Sequence, residues 1–363
     1  VGYFGIGPYI SNSHYDIDNS KINGSATVTI GGLFNGQYAT WFNGGDLDGL
    51  ASSDATAAAA VFGPADVDGY FSIGQADLGN LLAFVENKAD GSPNGLKFKL
   101  SGDLDFASAA NPVVPYIPYF GATEFQGNGH VVNNFSWNAP TSNVGVFGAV
   151  KNGRIFDFTV NTVQYANQSG GTKSINARDY VGAVIGSIDG GQLYNTHAVL
   201  GGAIQAGRYV GGVSGIYRSG PVGHVSALRA TGVAAADAKV VGSDSYVGGV
   251  SGYFSNASLK TITSDLDVVG GSGYVGGVAG YAYGTGWFDF NSSLGTPYVS
   301  PGTMIDVSTT ATSVSGGGNY IGGVFGQAVA GPGAANWSST ANVSGGSTYV
   351  GGVAGKTDAS DLT

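Results

Sequence analysis

The sequence predicts an all-β fold, a parallel β-helix (β-solenoid) with a short helical insertion. Three observations carry that expectation. A motif, Tyr-Val-Gly-Gly-Val-x-Gly, recurs at Tyr180, Tyr209, Tyr246, Tyr274, Tyr320 and Tyr349, with a shortened copy, NVGVFG, at Asn143. The successive tyrosines are 29, 37, 28, 46 and 29 residues apart, so the motif is constant while the connections vary in length. That is how stacked units with a fixed wall and variable loops read in sequence. Between the copies lie short alternating runs bounded by Gly, Ser, Asn and Asp, which are strand and turn signals.

Val, Ile and Tyr in the motif are strand formers. Its paired glycines are Gly211 and Gly212, Gly248 and Gly249, Gly276 and Gly277, Gly322 and Gly323, and Gly351 and Gly352; the Tyr180 copy keeps Gly182 followed by Ala183. Two glycines inside a strand mark a bulge or a close backbone approach. Two readings follow. Either the Gly-Gly step bulges so that both valines point inward, or glycine makes room for a bulky side chain from the facing wall. The last glycine of the motif is expected to end the strand at a turn with positive φ.

Taken along the chain, residues 1–50 read as a solenoid end and connector, with an alternating run at 25–30 (SATVTI) and a short helical turn within 32–42. Residues 51–95 read as a helical insertion or cap. They hold a short helix over 51–61, capped by Ser52 or Ser53, and a helix over 75–87. In the latter, Leu78, Leu81, Leu82 and Val85 share one face at helical spacing. Residues 96–363 read as the repeat array. It opens with strands at 96–106 (LKFKLSGDLDF), a Pro-rich turn at 111–118, and 124–137 (EFQGNGHVVNNFSW), where Gly127-Asn128-Gly129 makes a tight turn. Second strands follow at 192–200, 223–231, 258–269 and 336–344.

Composition narrows the function. Glycine, at 65 of 363 residues, is far above the usual share of about 7%. Charged residues make up 10% and the net charge is −10. Nearly all the acid is Asp, a turn former; Glu86 and Glu124 are the only glutamates. The 14 basic residues form no stripe, so nucleic acid is not an expected partner. No apolar run is long enough for a transmembrane helix, and membrane insertion is not expected. The chain has no Cys and must be held by its core and ladders, which suits a large exported bacterial protein. Its opening, VGYFGIGPYI, lacks the basic region of a signal peptide. The chain is expected to be a segment of a longer polypeptide.

The YVGGVxG copies, together with the helix of Leu78 and Leu82, KFKLSGDLDF, FQGNGHVVNNFSW and NVGVFG in that order, resemble a family. It is that of bacterial proteins with Gly-rich GLUG motifs, found in very large secreted adhesins similar to filamentous haemagglutinin. Residues 9–42 also look like the connector that follows such an array. The resemblance implies a right-handed parallel β-helix, secretion to the cell surface or extracellular matrix, and adhesion, display or matrix building. It implies no catalytic residues. Some GLUG arrays are attached to metallopeptidases, but this chain has no H-E-x-x-H. It also lacks the family's export domain.

Chemistry-bearing residues are few. His14, His130, His197 and His224 show no metal-ligand spacing, and His197 and His224 sit at different offsets from their motifs. Short Asp pairs at 16–18, 46–49, 66–69, 103–105 and 265–267 offer hard oxygen ligands for calcium, yet none completes a known loop, and turn-forming Asp explains them equally. No cofactor is expected, with calcium as the alternative. A β-helix lyase or hydrolase would need clustered carboxylates with a basic partner; the candidates are Asp103, Asp105 and Glu124 with Arg154. Trp41, Trp137, Trp287, Trp337 and the motif tyrosines offer faces for sugars. The N-x-S sequences, such as those at Asn134, Asn256 and Asn336, read as turns. The expected function is a non-enzymatic extracellular structural or adhesive protein. Its expected partners are its own repeats end to end, cell or matrix surfaces, and glycans. The alternatives are a self-assembling filament subunit and a glycan-binding or polysaccharide-degrading protein.

Overall fold

The computed structural model describes residues 55–85, 87–88, 92–106, 116–164, 172–284, 303–331, 334–346 and 348–358. The expectations for residues 1–50, the Ser52 or Ser53 cap, His14, Trp41, Trp287, the Asp pairs at 16–18 and 46–49, and most of the Pro-rich turn lie outside the described residues.

The protein is all-β with parallel sheets, and its strands fall into four rows. The first row runs Tyr70–Ile73, Lys97–Leu100, Glu124–Gln126, Arg154–Thr162, Gln192–Leu200, the second half of Ser214–Arg229, the second half of Ser251–Ser264, Met304–Thr309 and Ala335–Ser339. The second runs Ile117–Phe120, Phe147–Lys151, Ile185–Asp189, the first halves of the two long strands, Ala279–Tyr283, Phe325–Val329 and Ala354–Thr357. A third joins Trp137–Asn138 through Lys173–Asn176, Ala203–Ala206, Lys239–Gly242, Asp267–Gly270 and Ser313–Gly316 to Asn342–Gly345. The fourth is the motif itself. Bridges link Val144, Val181, Val210 and Val247, and the row continues through Val247–Gly248, Tyr274–Gly276, Tyr320–Gly322 and Tyr349–Gly351. Each strand pairs in parallel with its counterpart one repeat away, so a rung visits the third, fourth, second and first rows in turn.

In-register stacking puts like on like. One line of the first row is Phe71, Phe98, Phe125, Ile155, Leu193, Val222, Leu259 and Met304, and all are buried. The early rungs have a phenylalanine core, with Phe120, Phe125, Phe147 and Phe158 meeting edge to face. Later rungs are filled mainly by Val, Ala, Ile and Leu, with Tyr217, Phe254 and Phe325 as buried aromatics. Helix α1 (Ala55–Phe62) lies over the first rungs. Its Phe62 ring sits 5.7 Å from Phe98 and 6.4 Å from Phe71, and Ala58 is fully buried.

Three expectations change. Residues 75–87 do not form one helix. They form a 3-10 turn at Gln75–Asp77, an α turn at Leu78–Leu81 (α2) and a second 3-10 turn at Leu82–Phe84. Gly79 and Asn80 are poor helix formers, and burial of Leu78, Leu81, Leu82 and Val85 holds the segment instead. Residues 258–269 and 336–344 each contain a corner between two strands rather than one strand. The last motif glycine does not end a strand at positive φ. Gly215 and Gly252 lie within the long strands Ser214–Arg229 and Ser251–Ser264.

Candidate functional site

The motif tyrosines form one continuous ladder. Tyr180, Tyr209, Tyr246, Tyr274, Tyr320 and Tyr349 stack ring on ring, with centroids 4.9, 4.8, 4.9, 4.8 and 5.0 Å apart and planes within 12° of parallel. This spacing is the strand repeat itself. Tyr253 and Tyr281 of the second row stack on each other at 5.0 Å and meet the ladder edge-on. Every ring is at least partly exposed. Because the faces cover one another, the ladder presents ring edges and hydroxyls along its flank. Burial pushes the phenols of Tyr209, Tyr274 and Tyr281 up and, with the charges of neighbouring tyrosines, raises Tyr246 to about 12. They remain protonated donors at neutral pH.

The glycines explain why the motif is so constant. A Cβ on the first glycine would meet a carbonyl oxygen: that of the residue three on at Gly211 (2.3 Å), Gly248 (2.2 Å) and Gly276, Gly322 and Gly351 (2.0 Å), and that of Val213 one rung away at Gly182 (2.3 Å). The second glycine packs under its counterpart one repeat away and across from the first row. A Cβ at Gly212, Gly249, Gly277 or Gly323 would lie 2.0–2.4 Å from the next rung's Gly oxygen. Its facing neighbours would be Ala227, Ser264, Thr309 and Ser339 in turn, which themselves form one ladder. Of the two readings, both valines do point inward: Val210, Val213, Val247, Val250, Val275 and Val278 are buried. The facing side chains are small, not bulky. In the Tyr349 copy, Tyr349, Val350 and Val353 are exposed by 42, 45 and 38%, and nothing lies within 4 Å of a Cβ at Gly352.

The proposed carboxylate cluster separates into two. Glu124, 7% exposed, accepts from Arg154 at 2.7 Å and from the Tyr70 hydroxyl, and Arg154 also donates to Gln192 at 3.0 Å. Tyr70, Lys97, Glu124, Arg154 and Gln192 are one in-register line. Burial, then Glu124, raises the Tyr70 phenol. Asp103 instead accepts from the Val131 amide at 2.9 Å and faces His130 at 3.2 Å, and both hold its carboxyl below the usual range. Asp105 accepts from Asn134 at 2.9 Å. Each carboxylate is spent on a rung-to-rung link.

In the other described Asp pairs, Asp66, Asp265 and Asp267 are also tied across rungs. Asp66 caps its own turn through the amides of Asp68 and Tyr70 and pairs with Lys99 at 2.5 Å. Asp265 accepts from the Arg229 amide, and Asp267 from the amides of Thr312 and Ser313. Among the described residues no three His, Asp or Glu side chains gather as a metal site. His197 lies opposite Ser226, not His224, and its Nδ1 is 2.8 Å from the Ser226 hydroxyl. Burial lowers its pKa. Trp137 is half-buried at the edge of the third row, and Trp337 donates to the Met304 carbonyl at 2.8 Å while packing on Phe325.

A second ladder was not legible in the sequence. Asp157, Asn195, His224, Thr261, Asp306 and Asn336 occupy equivalent places between paired residues of the first row, and all have φ between 42° and 66°. The six first-row strands from Arg154–Thr162 onward therefore each kink at one left-handed residue in this line. Asn195 donates to Asp157 at 2.7 Å and Asn336 to Asp306 at 2.8 Å across rungs. Asn and Asp tolerate that conformation, and their enrichment here is the signal that was available. Asn134, Asn256 and Asn336 of the N-x-S sequences also take positive φ, as turn and kink residues.

No family model matches the sequence, and no curated protein matches it. Among solved structures, a similarity is found to a crystal structure from Bacteroides ovatus described as a "putative immunoglobulin A1 protease". Identity is 16%, the match covers 82% of this chain and 77% of that one, and the TM-score is 0.39.

Proposed function

We propose that the chain is a rigid segment of a secreted, non-enzymatic structural or adhesive protein. In this reading its four rows close into a right-handed parallel β-helix that acts as a spacer at a cell surface or in an extracellular matrix. The observation that carries it is the use of the motif. In all six full copies, tyrosine, valine and glycine are spent on stacking one rung on the next, and the variable lengths are left to the connections. Nine strands of the first row span eight steps of about 4.8 Å, roughly 40 Å of continuous ladder. Glu124, Asp103, Asp105, Asp157, Asp265, Asp267, Asp306 and His197 are tied into rung-to-rung hydrogen bonds, which suits a load-carrying wall. The resemblance to GLUG-motif adhesins points the same way.

The test is location and binding together. Antibody against this segment should label intact producing cells or their matrix, and the purified chain should bind cell or matrix-coated surfaces. Labelling only inside lysed cells would overturn the reading. So would turnover of a polysaccharide that is lost in Glu124→Gln with the fold intact.

A second reading is self-assembly, in which the Tyr349–Gly351 edge pairs in parallel with a strand of another copy, in the way every earlier motif strand pairs with the next. At the opposite end α1 covers Phe71 and Phe98, so a head-to-tail contact would have to displace it. Sedimentation across a concentration series decides. Association that Val350→Lys abolishes supports assembly through this edge, and a concentration-independent monomer rejects it.

A further inference from the structure

We propose that the tyrosine ladder is a site of oxidative cross-linking, at which a peroxidase-type oxidant joins phenols of neighbouring rungs as dityrosine. The proposal goes beyond the adhesive reading and does not rest on it. Five consecutive gaps of 4.8–5.0 Å, with planes within 12° of parallel, hold each ring directly beside its like. Tyr253 and Tyr281 add a sixth such pair at 5.0 Å and 10°. Two phenoxyl radicals held this way couple without first having to find each other, the advantage of proximity in any bimolecular step.

The ladder is also where oxidation would land. The chain has no Cys, and its one Met, Met304, is fully buried, so no thiol or exposed thioether competes. The ladder rings are partly exposed along their edges. Tyr116 and Tyr217, by contrast, are buried. Electrons can therefore be taken from ladder residues that reach the surface while each ring is held between neighbours.

The chemistry balances with hydrogen peroxide as the terminal oxidant. Each of two phenols gives up one electron and its hydroxyl proton. The radicals join through their ortho carbons, and each ortho hydrogen then returns to its own ring oxygen. One C–C bond forms, two ring C–H bonds are lost, and peroxide is reduced to two waters. Rotation about Cβ–Cγ, with a small approach of the two rings, brings adjacent ortho carbons together. The product bolts together rungs whose tyrosines are 28 to 46 residues apart, a role that disulfides cannot fill in this chain.

The test is treatment of the dilute folded chain with a haem peroxidase and hydrogen peroxide. Dityrosine fluorescence and mass spectrometry of the joined peptides read the result. Coupling should be intramolecular, between adjacent ladder positions, and several-fold lower when the chain is unfolded in urea first. Replacing Tyr209, Tyr246, Tyr281 and Tyr320 by Phe keeps every ring but leaves no two adjacent phenols among the ladder residues. That variant should fold normally by circular dichroism and lose intramolecular dityrosine. Equal yield from the unfolded chain, coupling through tyrosines off the ladder such as Tyr70 or Tyr194, or purely intermolecular products would overturn the proposal. If the four-site variant misfolds, the peptide map of the wild-type chain decides alone.

Discussion

At the scale of single residues, the motif glycines differ in what surrounds them, although their sequence context is the same. A Cβ at Gly276 would sit 2.0 Å from the Ala279 carbonyl oxygen, while one at Gly352 meets nothing within 4 Å. Gly276→Ala must move backbone, so it should cost about 3 kcal/mol or more, the upper end of overpacking penalties. Gly352→Ala should stay within about 0.5 kcal/mol of wild type. Urea midpoints of the two variants check this, and equal loss would show that the interior clash is relieved cheaply. The kink ladder gives a test of opposite sign. Thr261 is the one β-branched residue on it, at φ 56°, where its neighbours are Asp, Asn and His. Thr261→Asn should raise stability by about 1 kcal/mol, read as a higher unfolding midpoint.

At the scale of an element, the tyrosine ladder behaves as a unit because each ring is wedged between two others. Tyr246 touches Tyr209, Tyr274, Tyr253 and Tyr281. Its phenol titrates near 12 folded against 10.0 ordinarily. Between those values the folded chain keeps a proton that the unfolded chain releases. This contribution is whole below pH 10 and is lost as the pH climbs towards 12. Wild type should therefore lose stability over that window more steeply than Tyr246→Phe, which has no phenol to ionise. Parallel pH profiles for the two proteins would refute the shift. Stacking of this kind follows from two facts, strands in parallel register and the same residue at the same position in each repeat. Only the second of these was visible in the sequence.

At the scale of the whole molecule, the two described ends are unlike. One is closed by α1 and the phenylalanine core, and the other carries the exposed Tyr349 copy. Stability in a stack is a sum of rungs and the contacts between them, so the same substitution should weigh differently by rung. Val275→Ala, at a fully buried position, should cost about 2 kcal/mol. Val350→Ala, at a position 45% exposed, should cost little. Chemical denaturation of the pair measures the difference, and a large loss at Val350 would mean that another strand covers that edge in solution.

The sequence by itself determined the class of fold and the repeating unit. Motif copies at irregular spacing leave stacked parallel strands as the economical solution, and the tyrosine, valine and glycine positions are the residues that stack. It also carried the buried face of 75–87, since Leu78, Leu81, Leu82 and Val85 needed a core whatever their local helix geometry. The tertiary structure alone decided what the second glycine of each pair before the Tyr349 copy is for, because the atoms it avoids belong to the next rung and to a facing row far away in sequence. It separated Glu124 and Arg154 from Asp103 and Asp105, which local spacing had grouped. It also revealed the left-handed kink in the first-row strands from Arg154–Thr162 onward, since Asp, Asn, His and Thr share no obvious pattern until register aligns them. Local chemistry is written in neighbouring residues, whereas register is a property of pairs some thirty residues apart, and each of these features depends on register.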